Sequence, residues 1–110
     1  MTAHSVHISV FPLGSSEPPR ALDAIRTAWL APAWVSKRAI DGAWLLEIAM
    51  EAPLPGDEDA AAFTERISVA IWRRVGRYVK VVVDVAQDES DTSHRREFGR
   101  TDYLKLMRAT

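Results

Sequence analysis

Residues 33–51 read AWVSKRAIDGAWLLEIAME, and the Asp41-Gly42 pair near their centre decides how the chain folds. Asp-Gly supplies the positive φ angles of a tight turn, and strand-like runs flank it on both sides, so a β-hairpin is expected here. In the second run Trp44, Leu46, Ile48 and Met50 share one face, expected in the core, while Leu45, Glu47, Ala49 and Glu51 share the other. The first run fits less cleanly. In either register Lys37 or Arg38 falls on the inner face, which marks a bulge or an edge strand guarded by cations.

Upstream, SVHISVF (5–11) alternates, with Val6, Ile8 and Val10 on one side and His7, Ser9 and Phe11 on the other, as a half-buried strand does. PLGSSEPP (12–19) then turns the chain. Ser16 is the expected N-cap of a helix whose first positions take Pro18 and Pro19 and whose inner stripe is Leu22, Ile25, Ala28 and Trp29. Pro32 stops it, leaving Trp29 and Trp34 around the helix-to-strand corner. Downstream, APLPGDEDAAAF (52–63) opens a second helix that ends near Val75, with Gly76 as its stop and Phe63, Ile67, Ala70, Ile71 and Val75 inward. Trp72 falls on its flank. YVKVVVDVA (78–86) is a strand with Val79, Val81, Val83 and Val85 on one face.

The order β-α-β-β-α-β resembles the ferredoxin-like arrangement, which implies an α+β fold: an antiparallel sheet with two helices on one face, over residues 1–86. That architecture hosts many unrelated functions, so it implies no activity. Residues 87–97 contain no large apolar side chain and are expected to form a polar linker. Residues 98–110 form a short amphipathic C-terminal segment. With Thr101 as its cap, a helix there would align Tyr103, Leu106 and Met107. Two turns do not hold alone in water, so the segment needs a dock. The choices are the helix-free face (Phe11, Leu45, Tyr78, Val82) or a partner chain. The strand VKVVVDV (79–85) is expected at a sheet edge, long and weakly protected, which self-association would cover.

Composition narrows the chemistry. A 110-residue chain with 47% apolar and 26% charged residues and a net charge of −1 suits one soluble domain and lacks a general basic field for nucleic acid. Without cysteine there are no disulfides, thiolate nucleophiles or thiolate metal sites. The start, MTAHSVHISV, shows no secretory signal and no apolar run is long enough to span a membrane, so a cytoplasmic location is expected. His4 and His7 fall on opposite strand faces and no ligand spacing for a metal occurs. PLGSSEPP is a poor phosphate cradle, because two prolines remove amide donors and Glu17 repels the anion. No cofactor motif is present.

Three functional readings follow. The first is a protein–protein interaction or assembly module, a homodimer, with contacts through the open sheet face, the edge strand and the C-terminal segment, using Phe98, Tyr103, Leu106, Met107 and Val82. The second is a small enzyme or ligand-binding protein. An antiparallel sheet of this order gathers His7, Ser9, Glu47, Lys80 and Asp84 on its helix-free face, where a histidine between carboxylates is a candidate proton carrier. The third is RNA binding through Arg73, Arg74 and Arg77. Those cations sit in a block (66–80) that follows an acidic block (51–65, with Glu51, Asp57, Glu58, Asp59 and Glu65), and the two together also complement a helix dipole. No catalytic constellation is recognisable, so a module is expected ahead of an enzyme.

Overall fold

A computed structural model describes residues 4–56, 58–87 and 93–109; Asp57, residues 88–92 of the expected linker, and Thr110 of the C-terminal segment lie outside the described residues. The elements are β1 (His4–Leu13), α1 (Pro18–Ala28), β2 (Trp34–Ile40), β3 (Ala43–Ala52), α2 (Ala60–Val75), β4 (Lys80–Gln87), β5 (Ser93–Phe98) and α3 (Arg100–Ala109). The fold is α+β, with five antiparallel strands ordered β2-β3-β1-β4-β5. Among the described residues no helix is long and apolar enough to cross a membrane.

The hairpin forms where Asp41-Gly42 requires it, with φ of 49° and 81° at those two residues. β2 is an edge strand, as its cations suggested, and it pairs with β3 without a break from Trp34↔Ala49 to Ile40↔Ala43. The irregularity lies instead in β1, between Val10 and Leu13. Val6, Ile8, Val10, Leu46, Ile48, Val79, Val81, Val83 and Val85 fill the core beneath α1 and α2. Trp44 does not join them. It shares the inward side of β3, but it follows directly on the turn, opposite Ala39 of the edge strand, and stays 36% exposed. Met50, expected in the same stripe, is half-buried.

α1 begins without a side-chain cap, with Glu17 rather than Ser16 at the N-cap position. Its fully buried stripe is Ala21, Ala24 and Ile25, while Leu22, Ala28 and Trp29 pack at the margin. Small residues let α1 lie close against α2. Asp59 caps α2 by accepting from the Ala62 amide at 2.8 Å, and Gly76 ends it in the left-handed region at φ 91°.

The expected linker contains a strand. Ser93–Phe98 pairs with β4 from Val81↔Phe98 to Ala86↔Ser93, so VKVVVDV is an interior strand and not an edge. Phe98 faces inward and is fully buried. The helix that follows is seated by Asp102, whose carboxylate accepts from the Gly99 amide at 3.0 Å; Thr101 lies inside the first turn and does not cap. Within the chain α3 does not dock on the helix-free face. It packs on the helical side, where Tyr103 meets Trp72 edge-on at 5.2 Å and Tyr78 at 5.6 Å, and Trp72 meets Phe98 at 5.9 Å. Trp72, a flank position on the isolated helix, is thereby 1% exposed, with its indole N–H donating to the Val79 carbonyl at 2.8 Å. Arg96 of β5 ties the layers together by reaching Glu65 of α2 at 2.9 Å and Asp102 of α3 at 3.3 Å.

Candidate functional site: the open face and free edge of the sheet

Strand alternation leaves Ser5, His7, Ser9 and Phe11 of β1 on the face without helices. The register sets Ala49 and Asp84 on either side of His7, and Glu47 and Val82 on either side of Ser9. His7 Nε2 stands 3.2 Å from Glu47 Oε2, and Arg38 of β2 holds the same carboxylate at 2.9 Å. Asp84 faces Arg95 of β5 at 4.0 Å. Glu97 lies between Lys80 at 3.7 Å and Arg95 at 3.6 Å. The candidates His7, Glu47, Asp84 and Lys80 share this face, but Lys80 stands opposite Phe11 and faces Glu97, away from the His7–Glu47 contact. Arg38, Arg95 and Glu97 share the face as well. The β5 pair was missed because 87–97 reads as a linker, and Arg38 because the register of β2 was open.

Two shallow depressions mark this face. The larger, about 640 Å³, is lined by Ser5, Val6, His7, Ala33, Ala49, Met50, Glu51, Asp84 and Ala86. The smaller, about 250 Å³, is lined by Ser9, Phe11, Ile40, Leu45, Lys80 and Val82. Among the described residues no group of three or more His, Asp or Glu side chains is placed to hold a metal ion.

The five residues expected at an interface lie as follows within the chain. Phe98 is inside the core, Tyr103, Leu106 and Met107 pack against it within the same chain, and Val82 is half-buried on the open face. The apolar surface that does reach solvent is elsewhere. Among the described residues the exposed large hydrophobic side chains are Trp34, Val35, Ile40, Trp44 and Leu104, and the first four belong to the β2–β3 hairpin. β2 has one unpaired edge, and six of its seven residues are exposed: Trp34, Val35, Lys37, Arg38, Ala39 and Ile40.

The cations of the RNA reading are largely engaged. Arg74 pairs with Asp23 of α1. Arg77 donates to Glu17 at 3.0 and 2.6 Å and to the carbonyls of Pro12 at 3.0 Å and Tyr78 at 3.1 Å. Arg66 forks onto Glu58 and also donates to the Ala28 carbonyl at 2.7 Å. Of the three candidates Arg73 alone has no ion pair among the described residues. Acids opposite bases across elements account for the two charge blocks as bracing of the fold.

No family model, curated protein or solved structure matches this chain.

The Glu17–Arg77 fork has a pH signature. The hydrogen bonds from Arg77 hold the Glu17 carboxyl below its ordinary value of 4.5, helped by the Gly14 amide and opposed by partial burial. A depressed folded-state value means that the stabilisation is complete above about pH 4.5 and is lost as the pH falls through the lowered value. Because Arg77 is half exposed, the contribution is about 1 kcal/mol. Urea denaturation of Glu17→Gln is expected to show that deficit at pH 7 and a closing gap to the parent below pH 4.5. An unchanged gap across that range refutes it.

Proposed function

We propose that this protein is a small cytoplasmic assembly module with a ferredoxin-like body, extended by β5 and α3, which self-associates through the free edge of β2. The observation that supports this most directly is the exposed apolar surface of the hairpin. Isolated exposed hydrophobic residues are ordinary, but three large ones on one edge strand, with Trp44 on the next strand, mark a contact surface.

A second copy of the chain is the partner that best suits the pattern. β2 reads Trp-Val-Ser-Lys-Arg-Ala-Ile: two apolar residues at each end and three polar ones in the middle. An antiparallel pairing of two β2 strands about Lys37 sets Trp34 against Ile40 of the other copy on the open side of the sheet, and Val35 against Ala39 on the helical side. A contact of this kind is isologous, so each favourable pair occurs twice. Cross-strand aromatic and β-branched pairs contribute about 0.2–1 kcal/mol each beyond the backbone ladder. The opposing feature is Lys37 against Lys37, which lies in water, where two unit charges at about 4 Å cost about 1 kcal/mol. The other edge, Ser93–Phe98, is short and carries Arg95, Arg96 and Glu97, features that discourage pairing.

Light-scattering mass along a dilution series tests this reading. The expected mass rises toward twice that of one chain as concentration increases, and does so at lower concentration in high salt, because screening relieves the Lys37 contact. A mass that stays at one chain up to about 1 mM, where even a −4 kcal/mol association would show, rejects the module.

A further inference from the structure

We infer that the smaller depression on the open face is the seat of Trp34 from a second copy of this chain. The inference rests on assembly through β2, and it names which side chain of the partner enters which surface.

Phe11, Ile40, Leu45 and Val82 give this depression an apolar lining, and Phe11, Leu45 and Val82 stay half-buried because no helix covers this face. Its one charged residue, Lys80, turns its ammonium toward Glu97 at 3.7 Å. At about 250 Å³ the depression is smaller than small-molecule sites, about 300–1,000 Å³, and is of a size for one large apolar side chain. Trp34 is such a side chain. It is 49% exposed, and its register opposite Ala49 puts it on the same open face. Within one chain the ring and the depression do not meet, because Trp34 and Ile40 stand at opposite ends of β2, about 20 Å apart along the strand. Antiparallel pairing of two β2 strands about Lys37 removes that separation. It sets Trp34 of one copy beside Ile40 of the other, at the rim of the depression, with Leu45 on the next strand in. A ring laid inward from there covers Ile40 and Leu45. Arg38 leaves the approach free, since it leans the other way, toward Glu47 opposite Ser36. The two-fold makes the contact twice, and an aromatic ring seated in an apolar pocket is the usual form of an interface anchor.

The test mixes isotope-labelled and unlabelled full chains at about 1 mM, so that filtered NMR spectra read only contacts between copies. The Trp34 indole protons of one copy are expected to contact the Leu45 methyls of the other, as well as those of Ile40. Leu45 lies off the β2 edge and outside the core cluster. Leu45→Asp is therefore expected to weaken association at least about tenfold while the dilute monomer keeps the parent's urea midpoint. Leu45→Ala, with a loss of at least about threefold, takes its place if Leu45→Asp does not fold. A dimer without Trp34–Leu45 contacts between copies, or a folded Leu45 variant that associates like the parent, overturns this inference and leaves assembly through β2 standing. A mass that stays at one chain rejects both.

Discussion

A chain ending at Gln87 is expected to lose its cooperative fold. Truncation removes Phe98, which is fully buried, and uncovers Trp72, whose ring is enclosed by Phe98, Tyr78 and Tyr103. It also strips β4 of the partner that pairs from Val81 to Ala86. Replacing one buried Phe by Ala already costs about 3–5 kcal/mol, against a total stability of about 5–15 kcal/mol for a domain. The loss of Phe98 together with Tyr103, Leu106 and Met107 exceeds what a 110-residue domain can spare. Urea denaturation of Phe98→Ala gives the graded form of the prediction, a loss of about 3–4 kcal/mol with an unchanged slope. Near-UV circular dichroism of the truncated chain gives the extreme form, a collapsed tryptophan signal. A truncated chain with the parent's unfolding midpoint would show that β5 and α3 are an appendage.

The paired substitution Trp34→Asp/Ile40→Asp is expected to abolish self-association while leaving the monomer folded. Both residues are exposed, and neither belongs to the core cluster, so the single chain has little to lose. In a two-fold β2 pairing each change is counted twice, and each sets a carboxylate against a carboxylate where an apolar pair stood. Removing a tryptophan anchor alone costs about 2 kcal/mol or more, so the combined shift in association is at least about a hundredfold. Sizing with light scattering reads the mass, and the urea midpoint of the monomer reads the fold. A double variant that associates like the parent moves the interface away from this edge, and a midpoint lowered by several kcal/mol would mean that the residues act within the chain.

Much of the open face was legible from periodicity. Because side chains alternate strictly along a strand, placing Val6, Ile8 and Val10 inward forces His7 and Ser9 outward, and the strand order then brings Glu47 and Asp84 beside them. What periodicity could not supply was the fifth strand. Ser93–Phe98 has only one large apolar side chain, so its polarity reads as linker, and pairing with β4 is what makes it a strand. The same omission misplaced two other features. Without β5 the strand VKVVVDV reads as an edge. Without α3 Trp72 stays on a helix flank.

By itself the sequence determined those features set by local stereochemistry and by the period of apolar residues: the Asp41-Gly42 hairpin, the end of α2 at Gly76, the inward valines of β4 and the opposite faces of His4 and His7. Each of these depends on residues a few positions apart. Only the tertiary structure decided which surfaces are covered. Trp44 lies in the apolar stripe of its strand and Trp72 on the flank of its helix, yet the first is 36% exposed and the second 1%. The difference comes from β5 and α3, whose residues are distant in sequence from Trp72 and enclose it through the fold, while Trp44 has only its strand neighbours Leu13 and Ala39 beside it in the register. Burial is a property of neighbours in space, and an isolated segment does not carry that information.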